Sequence, residues 1–183
     1  NSKTALLFEK ENTISIEELI KDYGYLNEEH LMWVLERLLS IVGYVHSKKI
    51  VHGNIKKENI LIDVENHNVK LMDLTLATIN ADDKKSKYNI INENYSPSYV
   101  SEKTKVYPNV DIYALGILAI ELLGGDIERK AMRISINLEL RNFIRKMLDY
   151  KENDAWKLWD ELIDLRKKLY PNKTFKKLEK KLK

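Results

Sequence analysis

Val51-His52-Gly53-Asn54-Ile55-Lys56-Lys57-Glu58-Asn59-Ile60-Leu61-Ile62, followed by Val69-Lys70-Leu71-Met72-Asp73-Leu74-Thr75, is the most informative stretch of the chain. A polar loop separates two short β-type runs. The segment Asp63 to Asn68 has the Asp and Asn content of a turn, so Ile60–Ile62 and Val69–Met72 are expected to pair as a hairpin. A loop entering one strand and a carboxylate leaving the next bring Lys56, Asn59 and Asp73 together without any helix register. An ammonium, a carboxamide and a carboxylate at strand ends suit a Mg²⁺–phosphate site, because the hard oxygens take the metal and the cation takes the phosphoryl group.

Around this centre the pattern is helical. Ser15 to Asp22 reads as a short helix capped by Ser15, with Glu17 and Glu18 in its first turn and Gly24 at its end. Asn27 is expected to cap a longer helix running to about Lys48. Its apolar residues Leu31, Val34, Leu35, Leu38, Val42 and Val45 recur at three- and four-residue steps and so share one face. Val110 to Leu123 is apolar around nearly its whole circumference and stops at Gly124-Gly125, which places it in the middle of a core. Two amphipathic helices follow, about Leu138–Tyr150 and Asp154–Tyr170, the second capped by Asn153 and stopped by Pro171. Thr4 to Glu9 could form one strand, and Ala81 to Tyr95, polar and aperiodic, reads as a mobile loop. No internal repeat is visible.

The chain has 183 residues, enough for one domain with a sizeable core. A hydrophobic share of 44%, with only 6 Gly and 3 Pro, excludes collagen-like and Pro/Gly-rich disordered classes. With no Cys, disulfides, thiolate zinc sites and cysteine nucleophiles are all excluded, and a reducing, cytoplasmic setting is expected. No apolar run is long enough to span a membrane. The chain opens on Asn1 without a signal peptide, so it is expected to be processed or cut from something longer. The net charge of +3 hides an asymmetry: Arg166 to Lys183 holds nine basic residues against Glu179, while the rest carries 22 basic and 27 acidic side chains. A solvated helix end explains this tail better than nucleic acid, which is an unlikely partner. His30, His46 and His67 lack metal-ligand spacing and are expected to be solvated or capping, and Trp33, Trp156 and Trp159 to serve packing.

Together these motifs resemble the C-terminal lobe of the protein kinase superfamily. The catalytic-loop pattern H-R-D-x-K-x-x-N appears as His52-Gly53-Asn54-Ile55-Lys56-Lys57-Glu58-Asn59, and the D-F-G position as Asp73-Leu74-Thr75. Asp111-Ile112-Tyr113-Ala114-Leu115-Gly116 is similar to the family's central helix, and Phe8-Glu9-Lys10 stands at the hinge. The His-Gly opening and Asp154-Ala155-Trp156 are weakly similar to bacterial and phage kinase-like proteins. The resemblance implies a mainly α (α+β) lobe with a small β-hairpin and a central buried helix. It divides the chain into a hinge or strand remnant at 1–10, the lobe at 11–170 and a basic tail at 171–183. It further implies Asn54 and Lys56 at catalytic positions, and Phe8, Glu9, Glu58, Asn59 and Leu61 around a nucleotide. Asn59 and Asp73 would hold Mg²⁺, while His52, Leu74 and Asp111 would have structural roles, with Leu74 filling an apolar slot and Asp111 binding catalytic-loop backbone N–H groups.

The departures bear on function. Asn54 replaces the family's general base, and a carboxamide cannot accept a hydroxyl proton near neutral pH; positioned acid–base catalysis supplies about 10²–10⁴-fold. Gly53 replaces an arginine, and Thr75 a conformationally free glycine. Tyr95-Ser96-Pro97-Ser98 stands at the A-P-E position, and no arginine lies near Glu152 to pair with an acid there. The Gly-rich loop and strand lysine that the family places before the hinge are not in this sequence, so Mg²⁺ and ATP are expected to bind weakly. The first expectation is therefore a degenerate kinase-like lobe without phosphotransfer, acting as a binding or regulatory (pseudokinase) module. The alternative is the C-terminal lobe of a divergent serine/threonine kinase that binds Mg-ATP with its N-terminal lobe present. A protein partner follows from either: a kinase, a kinase substrate, the chain's own N-terminal lobe or a second copy in a homodimer covering the apolar surface around Phe8 and Leu61.

Overall fold

A computed structural model describes residues 11–83, 86–89, 94–102, 105–149, 151–171 and 177–180. Phe8, Glu9 and the expected strand at 4–9 lie outside the described residues. Strand β1 (Ile14–Ser15) leads directly into helix α1 (Ile16–Tyr23), where the Ser15 hydroxyl accepts the Glu18 N–H and the Glu18 carboxylate accepts the Ser15 N–H. That reciprocal box satisfies two donors that would otherwise be orphaned at the helix start. Helix α2 (Glu28–Ser47) is capped by the Asn27 side chain on the His30 N–H, 2.9 Å. Its buried face is wider than the periodicity implied, because Met32, Trp33 and Leu39 are buried with Leu31, Val34, Leu35, Leu38 and Val42, while Val45 is only half-buried. Both β4 and the last helix pack against α2.

Strands β2 (Ile50–Val51), β3 (Ile60–Asp63), β4 (Asn68–Leu71) and β5 (Thr78–Ile79) follow. β3 and β4 form the expected hairpin, with Ile60 opposite Leu71 and Ile62 opposite Val69. β1 joins its other edge antiparallel, Ile14 opposite Ile62, and β2 pairs antiparallel with β5. These last two pairings involve two-residue strands, too short to show a period of two.

Helix α3 (Asn109–Leu122) is buried at every residue except Glu121, as its all-round apolar sequence requires. Gly124 ends it at φ +70°, a left-handed conformation that glycine adopts without steric cost. Helices α4 (Leu138–Leu148) and α5 (Ala155–Leu169) lie outside it, α4 against α3 and α5 against α2. The cap of α5 is Asp154, not Asn153: its carboxylate accepts the N–H of Trp156 and of Lys157, so the helix starts one residue later than expected. α2 and α5 meet closely at Gly43, where a Cβ would fall 2.7 Å from the Trp156 ring.

The described part of 81–95 is tied to the body, contrary to the mobile loop expected there. Ala81 and Tyr95 are buried, and the Tyr88 hydroxyl accepts the Tyr107 N–H at 2.8 Å. The aperiodic sequence hid this because each anchor is a single residue docking on distant chain. No helix among the described residues is long and apolar enough to cross a membrane.

Candidate functional site

The loop at 52–59 is held from below by the first turn of α3. Asp111, 1% exposed, accepts the His52 N–H on Oδ2 and the Gly53 N–H on Oδ1, each at 2.8 Å. The same Oδ2 lies 2.9 Å from His46 Nε2 near the end of α2. Gly53 stands at φ +69°, a left-handed turn that carries the chain from β2 into the loop.

His52 is buried beneath the site. Its Nε2 lies 2.9 Å from the Met72 carbonyl, which can only accept, so Nε2 carries the proton and Nδ1 is left to accept the Asn54 N–H at 3.3 Å. Asn59 makes a parallel link: its Nδ2 donates to the Asn54 carbonyl at 2.8 Å, and its own carbonyl accepts the Met72 N–H at 2.7 Å. His52 and Asn59 thus grip Met72 from both sides, which sets the position of the next residue, Asp73. Asp73 is exposed and takes the left-handed conformation (φ +63°, ψ +70°), which costs a non-glycine residue about 1–2 kcal/mol and is best tolerated by Asn and Asp. Its carboxylate accepts the Thr75 hydroxyl and, at 3.3 Å, the Thr75 N–H. The Thr75 hydroxyl, then its N–H, and then His52 and Lys56 hold the Asp73 carboxyl below the usual carboxylate range.

The structure therefore draws His52, Asn54, Asn59 and Asp111 into one hydrogen-bonded unit that also holds Met72, with Asp73 next in the chain and Lys56 in the field of Asp73. Glu58 is exposed on the one-turn helix Lys57–Asn59, and Leu61 is half-buried on β3. Leu74, expected in an apolar slot, is instead 51% exposed, because the left-handed turn at Asp73 directs the one-turn helix Leu74–Leu76 outward. Asn54 is 4% exposed and its Oδ1 has no hydrogen-bond partner. These donors fit a Mg²⁺–nucleotide phosphate in kind: Asp73 supplies an ionised oxygen, Asn59 has its nitrogen committed so that Oδ1 is the atom left for a cation, and Lys56 is at hand for a phosphoryl group. Among the described residues no group of three or more His, Cys, Asp or Glu gathers as a metal site.

Three contacts around the loop escaped the sequence reading. His46, expected to be solvated or capping, instead sits on Asp111. Glu121, at the end of α3, accepts the Lys57 ammonium at 2.9 Å on Oε1 and the Tyr95 hydroxyl on Oε2. Burial, then Glu121 itself, pushes the Tyr95 phenol well above its ordinary value. The Thr75 hydroxyl holds Asp73, whereas the residue type had suggested only a loss of freedom.

The family model for the protein kinase domain matches residues 1–182. Sucrose non-fermenting protein kinase 1 of Fusarium virguliforme is 34% identical over 109 residues, covering 59% of this chain and 16% of that protein. Serine/threonine protein kinase OSK3 of Oryza sativa subsp. indica is 32% identical over 111 residues, 60% of this chain and 22% of its own length. A probable serine/threonine-protein kinase KIN1 homolog of Enterocytozoon bieneusi (strain H348) is 30% identical over 123 residues, 67% of this chain and 20% of its own length. The chain thus spans about a fifth of the length of these relatives. All three are eukaryotic, so the likeness to bacterial and phage proteins finds no support in them.

Proposed function

The chain belongs to the protein kinase domain family, and on that premise we propose that it is a degenerate kinase-like lobe that works as a binding or regulatory module without efficient phosphotransfer. The observation that carries this reading is Asn54. It occupies the general-base position of the loop, buried to 4%, and presents a carboxamide that cannot take a proton from a substrate hydroxyl. The backbone of the loop beneath it is held by Asp111, His52 and Asn59, which suits a surface kept for recognition. Its partner on this reading is a protein of the kinase system, whether a kinase, a kinase substrate or a second copy of the chain, met in a reducing, cytoplasmic compartment.

A second reading is favoured by Asp73 and Asn59. An aspartate held ionised beside an asparagine whose nitrogen is already committed keeps the metal half of a Mg-ATP site. The chain would then be the C-terminal lobe of a divergent serine/threonine kinase, binding Mg-ATP when a lobe carrying the Gly-rich loop closes over it.

A thermal-shift titration with ATP, with and without Mg²⁺, on this chain and on Asp73→Ala, paired with an assay for γ-phosphate transfer, separates the two. Absence of transfer supports the first reading, with or without a Mg²⁺-dependent shift. Transfer that vanishes in Asp73→Ala overturns it in favour of the second.

A further inference from the structure

Where β2 passes the segments at 81–82 and 105–108, a cavity of about 250 Å³ opens to solvent. Ile50, Val51, Ala81, Val106 and Pro108 give it an apolar floor. Val51, Ala81 and Val106 belong to a small second core shared with Val100 and Val110. The rim is charged. Lys49 and Lys105 line it, and Asp82 is the one acid among the described lining residues. Asp82 pairs with Lys49 at 2.9 Å and also lies in the field of Lys105, so two ammonium groups share one carboxylate. A third lysine stands beside them. Lys87 and Lys105 are antiparallel bridge partners, which puts their side chains on one face of the ribbon with Cβ atoms about 4.5–5.5 Å apart. Like charges directly opposite each other are destabilising. The ribbon is tied in place all the same: the Thr78 hydroxyl donates to the Lys87 carbonyl at 3.2 Å, and the Tyr88 hydroxyl accepts the Tyr107 N–H at 2.8 Å. An apolar floor under a rim of excess positive charge is complementary to a molecule that is apolar at one end and anionic at the other.

We propose that this cavity binds a small amphipathic carboxylate, a single ring or branched alkyl group on a short chain ending in a carboxylate. The apolar end rests on the floor beside the Tyr107 ring, which also lines the cavity. The carboxylate lies at the rim between Lys105 and Lys87 and offsets their repulsion, while Lys49 neutralises Asp82 and keeps it from opposing the ligand. One ring and a short chain suit the volume, since drug-sized ligands take about 300–1,000 Å³.

The test uses the full chain, labelled with ¹⁵N, and three probes: 3-phenylpropionate, its neutral amide 3-phenylpropionamide, and propionate. 3-Phenylpropionate is expected to bind saturably in the millimolar range and to move the Ala81 and Val106 amide resonances. The amide, with the ring but no charge, should bind at least about fivefold more weakly, and propionate, with the charge but no ring, should not saturate. Lys105→Gln and Lys87→Gln alter exposed side chains, so each should keep the melting temperature and weaken 3-phenylpropionate about two- to fivefold, the worth of one exposed ion pair. Raising the salt from about 0.05 to 0.5 M should weaken the acid and spare the amide, because exposed charges are screened. Equal binding of acid and amide, saturable binding of propionate, no saturation by 3-phenylpropionate, unchanged affinity in both lysine variants, or shifts that miss Ala81 and Val106 would each overturn the proposal. The comparison of probes on the unaltered chain stands even if a variant does not fold.

Discussion

Asp111 on the central helix and Gly53 in the loop are 58 positions apart in sequence, yet the carboxylate of one accepts the backbone N–H of the other at 2.8 Å. With the His52 N–H and the His46 ring on the same carboxylate, one buried acid satisfies three donors from two segments.

Replacing that acid leaves those donors unpaired in a water-excluded place. At about 1–3 kcal/mol for each unmet buried group, Asp111→Ala should lose at least about 3 kcal/mol. Asp111→Asn should lose nearly as much, because its amide turns a donor toward another donor. Urea denaturation measures both, and a loss under about 1 kcal/mol would show that the carboxylate does not hold the loop.

Thr75 sets the acidity of Asp73. Removing its hydroxyl in Thr75→Val takes away the largest stabiliser of the carboxylate, so the Asp73 pKa should rise toward its ordinary 3.8. Because the folded value is depressed, the stability linked to this group is present above the unfolded value and fades as pH falls through the folded one. A ¹³C titration of the Asp73 carboxyl in the two proteins reads the change, and identical curves would refute the role given to Thr75.

The cluster of Tyr95, Glu121 and Lys57 makes the fold sensitive to alkali. Both the Tyr95 phenol and the Lys57 ammonium are raised above their ordinary values of 10.0 and 10.5, the phenol mainly by burial and the ammonium mainly by its hydrogen bond to Glu121. A raised group contributes stability that is full below its unfolded value and is lost as pH climbs through the folded one. Thermal melts should therefore fall steeply above about pH 10. Tyr95→Phe should be less stable at pH 8 by about 1–2 kcal/mol, since one Glu121 oxygen loses its partner, and should show a shallower alkaline fall. Parallel alkaline curves for the two proteins would place the sensitivity elsewhere.

Gly43 exists to let the Trp156 ring approach α2. Gly43→Ala adds a methyl where only 2.7 Å is free, so the overlap should outweigh the better helix propensity and destabilise by about 1–2 kcal/mol. In a Trp156→Ala background the same change should instead stabilise by about 0.5–1 kcal/mol, the intrinsic advantage of alanine over glycine in a helix. A double-mutant cycle checks the sign reversal, and additive effects would rule out the contact as the cause.

Much of the frame was legible before any coordinates. Ser15 and Glu18, Asn27 and the Asp/Asn turn at 63–68 act over three or four residues, so their meaning is local and survives in the sequence. The all-round apolar run at 110–123 could only be buried, whatever surrounds it. Asn54, read as a lost general base, needed nothing beyond the chemistry of a carboxamide and a family pattern to compare it with.

The tertiary structure alone decided which distant partners meet. β2 pairs with β5, Tyr95 and Lys57 share Glu121, His46 reaches Asp111, and Leu74 turns outward at the left-handed Asp73. None of these has a sequence signature, because a carboxylate is equally ready for any donor and two-residue strands carry no period. The sequence by itself determined the helices, the hairpin and the chemistry available at the loop. Packing decided the rest, since only the close fit of α2, α3 and the loop around one buried carboxylate selects its partners from the many that composition allows.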